Sequence, residues 1–423
     1  MAAAGSLPNG FGPVGVIQLH YGWTMMLLGM LATMASHGLG RMSFTLILPP
    51  MKAGLGLTYT QAGLLGTGNF VGYVFFSLVG GFLATRYGSR RVISLSLALM
   101  GTTMALTGLA RSFPWAFVMR LLTGVGNGGA YVPAMALGSA WFTARYRGVA
   151  TGIVAGGVGL GTMLGAVLVP LIIRVHDAAG WRFAWYYLGG LALAVSAIAY
   201  GFLKSSPEEA GMEPVGSGAG PDPGNGPGAT TVNGFPYREK GLWHLGLVYL
   251  AYGFSYVIYM TFFAAYLNNE IGWPLGRVST LWALVGGLSI ISGGLWGRVS
   301  DYLGRRYGLA LVYLALMIAY LAFAFSRTTS VLCFSAILYG LSFAGIPTIM
   351  AAASGDFVGP RLAPAGLGFV TVFFGIGQAL GPAVAGSLAD ATRTFAWAFL
   401  LAAALSALGL AGSLLLRPPP SRS

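Results

Sequence analysis

Charge is what this chain has least of. Only 8% of its 423 residues are Asp, Glu, Lys or Arg, against roughly a quarter in an ordinary soluble domain. So few charges cannot cover the water-facing surface of a globular protein this long, which excludes that class. The acidic side is the thinner, with 10 Asp and Glu against 23 Lys and Arg. All ten acids (Asp177, Glu208, Glu209, Glu213, Asp222, Glu239, Glu270, Asp301, Asp356 and Asp390) fall between apolar runs or at their edges. A single cysteine, Cys333, excludes a disulfide framework and a thiolate metal site. Four scattered histidines form no metal motif, so neither a metal nor another cofactor is expected. No nucleophile–base pair or phosphate-binding loop is legible, and an enzyme is not expected. The stretch Met1–His20 lacks the basic segment of a cleaved signal peptide. The net charge of +13 does not point to nucleic acid, because the basic residues sit in short loops rather than on one soluble face.

What is present is apolar length. Hydrophobic residues make up 56% of the chain and glycine contributes 67 positions. The glycines suit helix packing in lipid, where small residues let backbones approach. A bilayer core needs about 20 helical residues. Runs of that order occupy approximately 21–46, 61–84, 92–110, 114–139, 148–173, 184–203, 241–267, 278–299, 308–326, 331–353, 366–388 and 395–416. They predict an all-α membrane protein with twelve transmembrane helices. Between the sixth and seventh lies a Gly-, Pro- and Ser-rich stretch, 204–240, expected to be a flexible linker. The expected division is therefore a six-helix bundle over 1–203, the linker, and a second six-helix bundle with a short tail over 241–423. With the N-terminus placed in the cytoplasm, the inner side holds Arg86, Arg90, Arg91, Arg145, Arg147, Lys204, Arg238, Lys240, Arg298, Arg305, Arg306, Arg361, Arg417 and Arg422. The outer side holds Lys52, Arg111, Arg174, Arg182, Arg277, Arg327 and Arg393. This imbalance is the positive-inside pattern and puts both termini and the linker in the cytoplasm.

The two sets of six repeat each other. Gly88, Gly124, Gly152, Gly159, Gly161 and Gly165 are each matched 216 positions later, by Gly304, Gly340, Gly368, Gly375, Gly377 and Gly381. Two pseudo-symmetric bundles with a site between them near the midplane is the architecture of a rocking secondary transporter.

The segments GGFLATRYGSRR (Gly80–Arg91) and GGLWGRVSDYLGRR (Gly293–Arg306) resemble the cytoplasmic loop motif of the major facilitator superfamily. RLLTGVGNGGAYVP (Arg120–Pro133) and GIGQALGPAVAG (Gly375–Gly386) are similar to further stretches of that family. The resemblance covers the whole chain apart from linker and tails. It implies the major facilitator fold, with Gly81, Arg86, Gly88 and Arg90 in the first loop and Asp301, Gly304, Arg305 and Arg306 in the second acting as gating latches. Thr85 stands where the motif's first copy has an acid. Gly38–Tyr73 resembles the prokaryotic YbfB/YjiJ-type branch, and Trp141–Gly161 is similar to monocarboxylate and oxalate/formate transporters. Those transporters place an arginine inside the eighth helix, whereas here Arg277 and Arg298 sit only at its edges. The resemblance implies a prokaryotic inner-membrane location.

Charged side chains at bilayer depth are costly and face a cavity or a partner. Arg41, in Gly-Leu-Gly-Arg of the first helix, either grips a carboxylate bidentately or snorkels to the outer interface, with the Pro49–Pro50 loop close by. His37, four residues earlier, shares its helix face and offers a proton-coupling site or a buried structural histidine. Arg120 either neutralises a solute or braces helix packing. Tyr252, Tyr256 and Tyr259 share one face of the seventh helix, and Asn69, Tyr73, Asn127, Tyr131 and Gln378 complete the polar inventory at depth. Positive charge at depth without negative charge favours an anionic solute, an organic anion such as a carboxylate, moved by symport or exchange. Met25, Met26, Met30 and Met34, with the aromatic interior, keep open an efflux carrier for neutral or amphipathic compounds. A monomer in the lipid bilayer is expected.

Overall fold

A computed structural model describes residues 20–217, 239–358 and 363–416, apart from the side chains of residues 78, 144, 145, 363 and 364. Its helices form twelve rods. They are α1 (residues 21–55), α2 (Tyr59–Tyr87), α3 (Ser89–Gly108), α4 (Phe113–Trp141), α5 (Ala144–His176), α6 (Gly180–Phe202), α7 (Lys240–Glu270), α8 (Leu275–Leu303), α9 (Arg305–Phe325), α10 (Thr329–Val358), α11 (Ala363–Thr392) and α12 (Ala396–Leu414). Eight stretches are long and apolar enough to cross a membrane by hydropathy alone, and the longest, Tyr146–Phe202, runs through two rods. The rods outside those eight are α1, α2 and α4, which carry His37, Arg41, Asn69, Arg120 and Asn127. Helix α2 is apolar enough but bent within its length, so α1 and α4 are the ones that fall short, and they hold the buried His37, Arg41, Arg120 and Asn127.

Large apolar side chains point outward all round the bundle, among them Leu95, Val167, Leu171, Ile291 and Leu408. Such a surface is stable against lipid and not against water, so this is an integral membrane protein. The sequence repeat reappears as repeated contact. A Cβ on Gly159 would press into Gly286 and Ile290 of α8, and one on its counterpart Gly375 into Val74 of α2. Gly161 packs on α1, and Gly377 packs on α7 in the same way. Gly88 and Gly304 both end a helix with positive φ, 85° and 90°, a conformation that favours glycine. The rods α1–α6 and α7–α12 thus form two like halves, joined along α2–α11 and α5–α8. Thr45 Oγ1 donates to Thr261 O (3.3 Å), two residues 216 positions apart meeting across the pseudo-twofold axis.

Three expectations change. The Pro49–Pro50 loop is absent, because helix Phe44–Leu55 continues through both prolines. Residues 331–353 do not form one unbroken helix: α10 breaks between Thr329–Ser342 and Gly345–Val358. Two backbone groups freed there are recovered by neighbours. Tyr252 Oη donates to Phe343 O, and Ala344 N donates to Ser292 Oγ (3.1 Å). Broken helices survive at membrane depth only with such partners. The first part of the 204–240 segment is not free chain either. Val215 N donates to Trp141 O (2.9 Å) and Thr143 N to Val215 O (3.1 Å), tying the segment to the ends of α4 and α5. Residues 218–238, both termini, and Arg238, Arg361, Arg417 and Arg422 of the charge balance lie outside the described residues.

Candidate functional site

The first rod carries the site on a distorted turn. Between Tyr21–Thr33 and Phe44–Leu55 the backbone widens into a π-helix, Met34–Met42, whose sequence MASHGLGRM is rich in small residues. Such widenings cluster at functional positions because they re-aim side chains. Arg41 sits fourteen residues before the end of its rod at Leu55, about 20 Å along a helix. It is 4% exposed. Snorkelling to the outer interface is therefore ruled out: the guanidinium lies where the two halves meet.

Arg41 Nη2 donates to Tyr256 Oη across the halves (3.2 Å), and Gln378 Nε2 donates to the same oxygen. Arg41 Nη1 lies 3.1 Å from His37 Nε2. A guanidinium only donates, so Nε2 accepts and His37 is the neutral tautomer with its proton on Nδ1. That Nδ1 is buried without a partner. Beneath the guanidinium lie the rings of Phe70 (4.1 Å) and Tyr73 (4.9 Å), which hold a cation by their faces. Tyr131 and Tyr73 flank the His37 ring at 3.8 and 5.3 Å between centroids.

Arg120 is 1% exposed and lies over Phe44 (4.4 Å) and Trp185 (5.1 Å), with Nη1 donating to Gly40 O (3.3 Å). Arg41, Arg120, Phe44, Thr45, Asn69, Phe70 and Thr261 line one void of about 10 Å³, room for a single water-sized group. Among the described residues no carboxylate is buried. Two buried guanidiniums therefore share a void without a counter-charge, and the Nε of each has no partner.

The remaining predicted residues divide. Tyr252 stacks on Tyr256 (4.8 Å, 13°) and stays with the site. Tyr259 does not: it hydrogen-bonds Ser335 (3.0 Å) and stacks on Tyr339 (4.2 Å) inside the second half. Asn69 Nδ2 donates to Arg120 O (3.1 Å) and Asn127 Nδ2 to Ser36 O (2.9 Å), so both brace α1, α2 and α4 around the arginines. Phe374 was missed by sequence reasoning. It lies parallel to Tyr249, Tyr252 and Tyr256, completing a ladder of rings on α7 and α11. Its only signal is its place one residue before Gly375.

The two loop motifs lie on the side of residues 203–217. Arg305 Nη1 contacts Asp301 and donates to Ser300 Oγ (2.8 Å), while Nε donates to Asp356 Oδ2 (3.0 Å). Gly304 supplies the turn, and Arg306 lies over Tyr307 at 5.3 Å. In the first copy Thr85 spends its hydroxyl on Phe82 O (2.7 Å), so the missing acid is not replaced locally. Glu209 takes that place instead. Arg90 Nη1 lies 3.7 Å from it, and Arg90 Nε donates to Tyr200 O (2.7 Å). Gly81 faces Val132, and Arg86 lies over Tyr87 at 5.4 Å.

On the opposite side the halves are sealed. Asp390 of α11 accepts from Tyr59 N (2.8 Å), Thr60 N (2.6 Å) and Thr60 Oγ1 (2.6 Å), capping the start of α2. Thr67 Oγ1 donates to Ala379 O (2.7 Å) and Trp282 Nε1 to Met42 O (3.3 Å). Among the described residues, the hydrogen bonds between the halves run from the Arg41–Tyr256 level outward to this side. The structure is closed there.

A family model described as "Uncharacterised MFS-type transporter YbfB" matches residues 32–415. The protein named "Probable sulfoacetate transporter SauU" from Cupriavidus necator is 26% identical over 413 residues, covering 93% of this chain and 94% of that one. The hexuronate transporter of Bacillus subtilis is 25% identical over 387 residues, 87% and 88% of the two chains. Among solved structures, a bacterial homologue of the human lysosomal transporter Spinster, inward-facing and unoccupied, superposes with a TM-score of 0.76. It is 18% identical and covers 96% of this chain and 100% of that chain.

Proposed function

The chain belongs to the major facilitator superfamily, in the family of uncharacterised YbfB-type transporters, and from that premise we propose that it carries a small organic anion by alternating access. One observation carries the reading: Arg41 and Arg120, with no buried carboxylate among the described residues, line one void between the halves. Unpaired buried charge is strongly unfavourable, and an anion is the partner that relieves it. The relatives named for sulfoacetate and hexuronate support the same class. It acts as a carrier and not as an enzyme.

Coupling to protons runs through His37. Arg41 donates to His37 Nε2, which fixes the neutral tautomer. An anion that draws the guanidinium to itself frees Nε2 to take a proton, so anion and proton travel together as in a symporter. The excess of Lys and Arg on the side of the linker supports a cytoplasmic placement of that side and of both termini, and we read the chain as a monomer in the inner membrane of a prokaryote.

Reconstituted in liposomes, the protein is expected to exchange labelled small organic anions, with sulfoacetate and benzoate as the probes. Arg41→Gln lowers affinity about 30-fold or more, the ~2 kcal/mol lower bound for truncating one partner of a buried charged contact. Uptake unchanged in Arg41→Gln would overturn the assignment. Resistance to amphipathic drugs in an expressing strain, without anion exchange, would favour the efflux reading that the aromatic wall suggests.

A further inference from the structure

The rings around Arg41 bear on the body of the anion, an inference that rests on the anion reading above. Tyr249, Tyr252 and Tyr256 of α7 and Phe374 of α11 lie within 9–14° of parallel, with centroids 4.5–6.1 Å apart. Tyr256 ends this ladder at the guanidinium of Arg41. The other half contributes more ring faces, from Phe70, Tyr73 and Tyr131.

Hydrogen-bonding groups on the rings themselves are by contrast few. The amide donors of Asn69 and Asn127 are taken by backbone carbonyls, and that of Gln378 by Tyr256. Tyr252 Oη donates to Phe343 O. Beside the rings Gln378 Oε1 is buried and without a partner, while the other unpaired polar atoms, Asn69 Oδ1, Asn127 Oδ1, His37 Nδ1 and the Nε of both arginines, gather around the guanidiniums. A polyhydroxy acid would lay hydroxyls against ring faces, which offer no strong acceptor, and burying a hydroxyl unpaired is costly. A flat conjugated body loses nothing there and gains ring–ring contact.

We propose that the transported anion is a planar aromatic or conjugated monocarboxylate, its carboxylate on Arg41 and its flat face on the ladder of Tyr249, Tyr252, Tyr256 and Phe374. Gln378 Oε1 accommodates a single ring hydroxyl.

The test compares benzoate with cyclohexanecarboxylate, which match in charge and nearly in size but differ in flatness, alongside tartrate and uncharged benzyl alcohol. Binding to the purified full chain is measured by titration. Benzoate is expected to bind about five- to tenfold tighter than cyclohexanecarboxylate, equivalent to about 1–1.4 kcal/mol, and far tighter than tartrate. In Phe374→Leu and, separately, Tyr249→Leu that ratio falls towards one while benzoate still binds. Thermal unfolding of each unliganded variant identifies one that fails to fold, and the other then decides. Cyclohexanecarboxylate or tartrate binding as tightly as benzoate, or a ratio unchanged in both variants, overturns the proposal and leaves the anion reading standing. Benzyl alcohol binding as well as benzoate, in wild type and in Arg41→Gln alike, overturns the anion reading itself. Failure of benzoate to bind at millimolar concentration overturns the proposal, and sulfoacetate exchange then shows whether the anion reading survives.

Discussion

Arg120 separates two roles that the sequence leaves open, solute contact and helix brace. Its charged group is 1% exposed, lies over Phe44 and Trp185, and has one backbone acceptor, Gly40 O. Held only for packing, it would be a poor choice, since a buried charge without an ionic partner is disfavoured over an apolar side chain of similar length. Arg120→Met is therefore expected to raise the stability of the unliganded protein by about 1 kcal/mol or more, while weakening anion binding about tenfold. Thermal unfolding with and without the anion checks both halves. A variant less stable without ligand makes Arg120 a brace. The same residue shows what was legible. Its charge within an apolar run follows from the sequence, as do those of Arg41 and His37, because an ionisable group inside a 20-residue apolar run announces itself; depth does not, since snorkelling of Arg41 is excluded by its burial alone. Asp390 does not announce itself: it reads as one more acid at a helix edge, and its three bonds to residues some 330 positions away are set by tertiary packing alone.

Those three bonds matter at the level of elements. Helix α2 starts with four backbone N–H groups that lack intrahelical partners. Thr58 and Gln61 form a capping box there, and Asp390 of the other half takes the N–H groups of Tyr59 and Thr60. One half thus caps a helix of the other, and this cap must come apart whenever the sealed side opens. A bond to a charged acceptor contributes about 1.5–3 kcal/mol. Asp390→Asn is expected to shift the balance towards the state open on that side by about tenfold or more. The chain's single cysteine makes the measurement direct. In a Cys333→Ser background, a cysteine at Thr45, now 1% exposed, should react faster with an impermeant maleimide once Asp390 is changed. Unchanged labelling would mean that the seal resides elsewhere, in contacts such as Thr67–Ala379. Helix positions were the most legible part of the fold, because lipid demands uninterrupted apolar length. Two breaks in that rule escaped. Pro49 and Pro50 read as a loop yet lie within a helix, and after Ser342 the helix breaks where Pro347 has no N–H to give Phe343 O, four residues earlier. In each case the outcome depends on neighbours that local sequence does not contain, such as Tyr252 and Ser292 on α7 and α8 at the second.

At the scale of the whole molecule, the repeat of 216 positions ends as a mechanical statement. Thr45 and Thr261 are equivalent residues of α1 and α7, and they touch. Equivalent positions in contact mark a pseudo-twofold axis, and relative rocking of the halves opens or closes this point on the sealed side. The Arg41–Tyr256 bond lies one helical turn deeper, between residues 215 positions apart, so the charged site and the seal move as neighbouring parts of one interface. Fixing the axis contact should therefore stop transport without emptying the site. With cysteines at Thr45 and Thr261 in the Cys333→Ser background, a short bifunctional thiol reagent is expected to abolish net uptake and exchange. Reducing the link restores both. Binding of the anion to the linked protein is expected to persist at near its unlinked affinity, because the link lies on the sealed side and leaves the halves able to part on the side of the linker, which is the route to the buried Arg41. Loss of binding on cross-linking would mean that anions reach Arg41 only through the sealed side, and the direction of opening assigned from the inter-half bonds would be reversed.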